Sequence, residues 1–139
     1  MRCIAFMPSL LLMLLFATFA HAEVAIVVSA NSTINSINAD DVTKIFLGKK
    51  KEHDGVKILP IDQTEGAKPR NEFYSGVVKK SESQLKSYWS RLIFTGKGQA
   101  PQVVGSDGDV KSMVSSNPNL MGYIDNSSVD GSVKVIFKQ

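Results

Sequence analysis

The sequence predicts an α/β protein in which helices flank a mixed or largely parallel sheet of about five strands. Short apolar runs rich in β-branched residues alternate along the chain with stretches that have helical spacing. The chain has 139 residues, which fits one domain of ordinary size behind a short leader. No internal repeat and no low-complexity tract in the sequence points to another architecture.

The chain begins with a pattern that is typical of a secretory signal peptide. Arg2 supplies a positive start, Leu10–Phe19 is a short apolar core, and Ala20–Ala22 is a small-x-small cleavage site. The alternative is a membrane anchor, but the apolar stretch is shorter than the about 20 residues that a spanning helix needs. We therefore expect residues 1–22 to be removed, residues 23–139 to form a single domain, and the product to reside in a bacterial periplasm.

Composition limits the chemistry of the mature chain. The only cysteine, Cys3, lies in the predicted leader, so the domain would have no disulfide, no thiolate nucleophile and no thiolate metal site. The sequence has 16 Lys and Arg, one of them Arg2, against 13 Asp and Glu. This balance is too even for nucleic-acid binding by bulk charge. We expect no nucleic-acid partner, and no membrane span after cleavage.

The first strand and the first helix have the clearest local signals. Val24–Val28 is apolar and mostly β-branched, as in a strand covered on both faces. After a polar turn, Asn38 can cap a helix whose first turn is acidic, and Gly48 suits the end of that helix. The apolar stripe between the cap and the glycine consists of Val42, Ile45 and Phe46.

A turn, a second strand and a second helix follow. Asp54–Gly55 is a turn signal, and Val56–Ile61 predicts a strand whose end Pro60 pushes toward an edge position or irregular geometry. The segment Asp62–Phe73, "DQTEGAKPRNEF", then leads into a helix with Pro69 at its first position. The buried stripe of this helix would consist of Phe73 and Val77.

The third helix begins at a capping box, Ser81–Gln84, and Gly96 ends it. Four apolar residues recur in it at helical spacing. They are Leu85, Trp89, Leu92 and Ile93.

Two more strands and a helix complete the predicted domain after a short strand at Val103–Val104. Ser106–Asp109 starts the last helix and Asn117–Pro118 ends it. Met121–Ile124 and Val133–Phe137 are the final strands. The inward face of the last helix would consist of Val110, Met113 and Val114.

No catalytic or metal-binding constellation is evident. His53 is the single histidine after the leader, and its charged neighbours favour a solvated loop. It has no nucleophile elbow beside it, and only carboxylates could join it in a zinc site. Gly96–Gly98 is an incomplete phosphate loop, and Asp107–Asp109 lacks the closing Glu of a calcium loop. We expect no enzyme activity, no metal and no cofactor, and Lys49–Lys51 fits either a solvated loop or a docking patch.

The segment "DQTEGAKPRNEF" is the best candidate for a binding site. A Gly-containing loop that leads into a helix start often holds anions, because free backbone N–H groups and the positive end of the helix dipole point outward there. Lys68 and Arg70 add positive charge. An oxyanion site would be lined by Gln63, Thr64, Gly66, Lys68 and Arg70. Polar residues after the first strand are candidate partners for it: Ser29, Asn31 and Ser32.

Four segments in order resemble phosphate-type periplasmic solute-binding proteins. They are "ADDVTKIFLGKK", "DGVKILPIDQTEGAKPRNEF", "YWSRLIFTGKGQAP" and "DVKSMVSSNPNLMGYID". The chain is most similar to short, single-lobe members of this superfamily. The resemblance implies one type 2 periplasmic-binding-protein-like lobe over residues 23–139. In full-length relatives two such lobes close over phosphate, which backbone N–H groups, hydroxyls and an arginine hold.

The resemblance also shows where this chain departs from the family. Relatives have a pattern similar to Arg-x-x-Gly-Ser-Gly-Thr-Arg-x-x-Phe, and only its glycine, second arginine and phenylalanine are matched, at Gly66, Arg70 and Phe73. Two hydroxyls and one guanidinium are absent, and a proline lacks an N–H. Lysine and arginine return charge, but as flexible groups. The replaced positions are Gln63, Ala67, Lys68 and Pro69.

Two functions from different classes fit these features. The first is a solute-binding-like protein for phosphate or another small oxyanion, serving an ABC-type uptake system. The second is an interaction, assembly or sensor-accessory module of the bacterial envelope that reuses the lobe. The eroded donor set, the absent second lobe and the exposed Lys49–Lys51 loop favour the second hypothesis, and the fold resemblance with the Gly66–Arg70 helix start favours the first.

Overall fold

A computed structural model describes residues 23–139, and the predicted leader lies outside them. The strands are β1 (Val24–Ser29), β2 (Glu52–His53), β3 (Val56–Lys57), β4 (Leu59–Gln63), β5 (Gln102–Gly105), β6 (Leu120–Asp125) and β7 (Val133–Lys138). The helices are α1 (Ala39–Phe46), α2 (Lys68–Phe73), α3 (Glu82–Phe94) and α4 (Asp107–Ser116). A π-helical turn (Tyr74–Val78) continues α2, and a 3-10 turn (Asn126–Ser128) follows β6.

The main sheet has five strands in the order β5-β4-β6-β1-β7. β4 runs parallel to both β5 and β6, whereas β1 runs antiparallel to β6 and β7. The prediction of a mixed sheet of about five strands flanked by helices is confirmed. β2 and β3 form a separate two-stranded hairpin.

The sheet separates two apolar cores, and β1 contributes to both. Alternate residues of a strand point to opposite faces. Val24, Ile26 and Val28 pack with α1, α2, the π-helical turn and α3. Ala25 and Val27 pack with α4 on the other face. All six residues of β1 are buried, which confirms the predicted doubly covered strand.

The predicted cap and stop of the first helix are confirmed. The Asn38 side-chain oxygen accepts a hydrogen bond of 2.8 Å from the backbone N–H of Asp41. Gly48, with a φ of 75°, lies just beyond the end of α1, in the left-handed region that glycine adopts without strain. The predicted capping box of α3 at Ser81 and Gln84 is also present.

The structure divides the predicted strand Val56–Ile61 between β3 and β4. Asp54 and Gly55 both have positive φ values, of 49° and 76°, and they turn the chain tightly between β2 and β3. Two positive φ values in a two-residue loop are typical of the turn that joins paired strands. The predicted turn is present, and it closes a short hairpin that the sequence pattern did not indicate.

Three further expectations need correction. Pro69 is the second rather than the first residue of α2. Ile93 is 56% exposed and Met113 is 37% exposed, although both were expected to face inward. Helical spacing predicts a stripe but does not say where along the helix the neighbouring sheet ends, so the last turns of a helix can leave the core.

Candidate functional site

The carboxyl ends of the parallel strands β4 and β5 lie side by side at one end of the sheet. α2 begins at Lys68 just after β4, and α4 begins at Asp107 just after β5. Between these two helix starts lies an open cavity of about 290 Å³. We call it the β4–β5 cleft. Its lining consists of Gln63, Thr64, Ala67, Pro69, Gly105, Ser106, Asp107 and Gly108.

The loop that leads into α2 is held in a defined shape. The backbone N–H of Thr64 donates to the Gly105 carbonyl at 3.1 Å, and the N–H of Ala67 donates to the Thr64 carbonyl at 3.0 Å. Gly66 has a φ of 89°, which a residue with a side chain adopts only with strain. Thr64, Gly66 and Lys68 are exposed at this loop. These three predicted site residues therefore face solvent on one loop, and of the three only Thr64 lines the cleft.

Gln63 lines the cleft, but its side chain is committed to other protein groups. It is 1% exposed. Its Nε2 donates to Asp107 Oδ1 and to the Tyr123 carbonyl, both at 2.8 Å. A side-chain amide nitrogen has two protons, so both are used. Gln63 orients the Asp107 carboxylate, and no amide proton is left for an anion.

Arg70 is also committed internally, which the sequence did not predict. It is 8% exposed. Its Nε and Nη2 donate to the Glu82 carboxylate at 2.7 and 3.3 Å. Its Nη1 donates to the Gln63 carbonyl at 3.0 Å and lies 3.1 Å from Asp62 Oδ2. Burial acts to lower the pKa of Arg70, but the hydrogen bond to Glu82 and the charge of Asp62 outweigh it and raise that pKa.

Asp62 is the centre of this buried polar network. Its Oδ2 accepts a hydrogen bond of 2.6 Å from the Tyr74 hydroxyl, and its Oδ1 accepts one from the Tyr123 hydroxyl. Burial, with the charge of Asp62 added to it, raises the pKa of both tyrosines well above the usual range. Both hydroxyls therefore remain protonated donors. The network fixes the end of β4 against α2 and β6, next to Gln63, which lines the cleft.

Asp107 places a carboxylate in the wall of the cleft. In addition to the Gln63 amide, it accepts a hydrogen bond of 2.8 Å from the Ser128 hydroxyl and contacts the Asp125 backbone N–H at 3.3 Å. Lys68, the first residue of α2, has a side chain that is 76% exposed and lies 3.9 Å from Glu72. The side-chain charge at the cleft is therefore not strongly positive.

The structure separates Ser29, Asn31 and Ser32 from the rest of the predicted site. β4 runs parallel to β6, and β1 runs antiparallel to β6. The last residues of β1 therefore lie at the end of the strands that is opposite to the cleft. Ser29 is 2% exposed and its hydroxyl accepts from the Asn31 backbone N–H at 3.2 Å. Ser32 is buried and its hydroxyl accepts from the Ile34 backbone N–H at 3.1 Å. These side chains shape their own turn.

His53 is not the solvated loop residue that the sequence indicated. It lies in β2, and its side chain is 11% exposed. Its Nε2 is 3.0 Å from the Ser36 carbonyl, and its Nδ1 is 3.8 Å from Asp41 Oδ2. Lys50 joins the same group, 3.1 Å from Asp41 Oδ1. The interactions tie the hairpin to α1, and they were not readable from the charged neighbours of His53 alone.

Residues 23–139 contain no group of three or more His, Cys, Asp or Glu side chains arranged to hold a metal ion. Within the same residues, every helix is too short or too polar to cross a membrane.

Comparison with known proteins identifies the fold. No protein-family model matches the sequence, and no curated protein matches it. A solved phosphate ABC transporter substrate-binding protein from Clostridium perfringens, with bound phosphate, is similar at a TM-score of 0.65 and 23% identity, over 83% of this chain and 45% of that one. An ABC-type phosphate transport receptor from Vibrio cholerae is similar at a TM-score of 0.65 and 22% identity, over 83% of this chain and 46% of that one.

PstS from Borrelia burgdorferi is similar at a TM-score of 0.60 and 18% identity, over 83% of this chain and 47% of PstS. The chain thus spans less than half the length of each of these proteins. The predicted fold, one α/β lobe with a mixed five-stranded sheet flanked by helices, is shared with these solved structures and is confirmed.

Proposed function

We propose that this chain is a solute-binding-like protein that contacts a small oxyanion, with phosphate as the first candidate, at the β4–β5 cleft. One observation carries the proposal. Two helices begin, and two parallel strands end, around a single open cavity. In open α/β sheets this is where ligands bind, and helix starts favour anions. The fold is shared with proteins described as phosphate receptors, one of them solved with phosphate bound.

Main-chain groups would supply most of the contacts in this proposal. The first N–H groups of a helix have no acceptor within it, and residues at the starts of α2 and α4 line the same cavity, although Pro69 itself has no N–H to give. Thr64 adds a hydroxyl, and Lys68 adds the only nearby cation on the loop. Gln63 and Arg70 act as positioning residues, because their donors are already used by Asp107, Glu82 and the main chain.

The carboxylate of Asp107 would select the protonation state of the ligand. A carboxylate beside a fully deprotonated anion is repulsive, whereas it can accept a hydrogen bond from an anion that retains a proton. Phosphate retains a proton near neutral pH and sulfate does not. We expect phosphate to bind more tightly than sulfate for this reason.

Affinity in the isolated chain should be weak. Each hydrogen bond to a charged group contributes only about 1.5–3 kcal/mol, and the cleft is open to solvent on one side. The chain spans less than half the length of its structural relatives, so a further lobe would be needed to enclose the anion. We place this protein in the periplasm, as a component of an ABC-type uptake system.

Amide chemical shifts of the purified protein provide the direct test. We expect a Kd of about 1 mM, so phosphate is titrated to about 10 mM. It should shift the N–H signals of Gly66 and Gly108 in a saturable way. Lys68→Gln should weaken the response, and the matched variant Lys79→Gln, on a loop away from the cleft, should not. An absence of shifts at Gly66 and Gly108 would rule out the oxyanion site.

A second candidate function is an interaction module of the bacterial envelope, and a different observation favours it. Phe94 is 93% exposed and Ile93 beside it is 56% exposed, at the end of α3. Adjacent exposed apolar side chains often mark contact surfaces. Chemical crosslinking in intact cells, followed by native purification, should recover a complex that Phe94→Ser abolishes. Recovery of only the monomer, with either residue at position 94, would exclude this function.

A further inference from the structure

A larger cavity lies at the other end of β4, opposite to the β4–β5 cleft. Its volume is about 480 Å³, within the range of roughly 300–1,000 Å³ that is usual for small-molecule sites. It is bounded by the end of α1, the start of β4, the middle of α3 and the loop before β5. We call it the lysine-rimmed groove, after Lys50, Lys51 and Lys57, which line its edge.

The floor of the groove is apolar. Leu59 is 57% exposed there, although it is a large hydrophobic residue. Pro60 and Pro101 add rigid apolar walls, and Trp89, which is 7% exposed, also lines the groove. An exposed leucine in a concave surface, rather than on a convex one, is a feature of ligand sites. A bound hydrocarbon group would cover this floor.

The rim is positive on balance, although Glu52 is the cross-strand partner of Lys57 in the β2–β3 hairpin. No Asp or Glu lines the groove. Lys50 is paired with Asp41 at 3.1 Å. Lys51 and Lys57 are exposed, and within residues 23–139 neither has a carboxylate within 4.0 Å. Two unpaired ammonium groups beside an apolar floor attract an anion that has an apolar body.

We propose that the lysine-rimmed groove binds a small carboxylate with an apolar body, such as a medium-chain aliphatic acid. The carboxylate lies at Lys51 and Lys57, and the hydrocarbon chain covers Leu59 and the edge of Trp89. An amine of the same length lacks the matching charge, and inorganic phosphate leaves the apolar floor uncovered. The groove and the β4–β5 cleft are at opposite ends of β4, so this proposal does not depend on the proposed function.

Trp89 makes the proposal measurable, since it is the single tryptophan of the sequence and lines the groove. Octanoate titrated into the purified protein should change the tryptophan fluorescence in a saturable way. Each methylene that is buried should tighten binding about fourfold, so hexanoate should bind more weakly than octanoate. Octylamine and inorganic phosphate should give no saturable change. Shifts of the Lys57 and Leu59 amide signals provide an independent readout.

Variants test the rim and the floor separately. Lys51→Gln combined with Lys57→Gln should weaken octanoate binding about fivefold or more, the sum of two exposed ion pairs. Lys49→Gln, a neighbouring lysine that does not line the groove, should leave the binding unchanged. Leu59→Ser should weaken octanoate binding with the circular dichroism spectrum retained.

Three results would overturn the proposal: no change in fluorescence or amide shifts with any carboxylate, equal binding of octylamine, or equal loss in Lys49→Gln and the double variant.

Discussion

Replacing Arg70 tests whether this residue stabilises the fold or binds the ligand. Arg70→Met removes the guanidinium but retains a long apolar side chain in the same space. The buried Asp62 carboxylate and the Gln63 carbonyl would lose their cationic partner. Glu82 would lose its bidentate hydrogen bonds. If the arginine instead served a ligand, its removal would leave stability unchanged or improve it.

The structure sets the size of the expected loss. Breaking a fully buried ion pair costs about 3–5 kcal/mol. Here the Glu82 side chain is 30% exposed, and Asp62 retains hydrogen bonds from Tyr74 and Tyr123. We therefore expect Arg70→Met to reduce the free energy of unfolding by about 2–4 kcal/mol. Glu82→Gln, which removes the more exposed partner, should cost about 0.5–1.5 kcal/mol.

Urea unfolding, followed by circular dichroism and by Trp89 fluorescence, measures the loss. With an m-value of about 1.5 kcal/mol/M, a loss of about 3 kcal/mol moves the midpoint by about 2 M. Arg91→Met is the matched control, because Arg91 is exposed and has no ion pair among the described residues. It should change the free energy of unfolding by less than about 0.5 kcal/mol.

One result would refute the scaffold role. If Arg70→Met costs less than about 1 kcal/mol and abolishes the phosphate response at Gly66, then Arg70 releases Glu82 and Asp62 to bind the anion. A loss equal to that of Arg91→Met would refute it as well. Arg70→Lys separates charge from geometry, since lysine lacks the planar fork. It should recover only part of the stability.

Three further predictions use separate features. Asp107→Asn should reduce the preference for phosphate over sulfate in calorimetry, because the carboxylate that accepts the ligand proton is gone. Asn38→Ala should lower the free energy of unfolding by about 1 kcal/mol, through loss of the α1 cap. Hydrogen bonds from the Ser127 hydroxyl and N–H lower the pKa of Asp125 below its usual 3.8. These hydrogen bonds therefore stabilise the folded state above pH 3.8, and the stabilisation is lost as the pH falls through the lowered pKa of Asp125. Ser127→Ala should therefore lower the free energy of unfolding at pH 7 but not in strong acid, as measured by urea unfolding under both conditions.

Local signals in the sequence predicted the elements well. The Asn38 cap, the capping box at Ser81 and the turn at Asp54 each depend on residues within a few positions, and the structure has all three. The buried β1 was also predicted, because an apolar β-branched run needs cover on both faces wherever it lies. Such features depend on chemistry that is close in the chain.

The features that were missed depend on contacts that are distant in the chain. Val24 pairs with Asp125 in an antiparallel register, and this pairing moves Ser29 and its neighbours to the wrong end of the sheet for a site with Thr64. No local pattern encodes that direction. Likewise, Arg70 reads as a free charge in a loop-and-helix motif, and its role becomes visible only when Glu82 and Asp62 are brought against it.

The two ends of β4 differ in charge in a way that no single motif shows. At the β4–β5 cleft, Arg70 is neutralised by Asp62 and Glu82, and Asp107 adds a carboxylate, so attraction for an anion must come mainly from backbone N–H groups. At the lysine-rimmed groove the free positive charge is on side chains. Phosphate should therefore shift amides near Gly66, and octanoate those near Leu59. If phosphate shifts the Leu59 end instead, side-chain charge rather than the helix starts decides where anions bind.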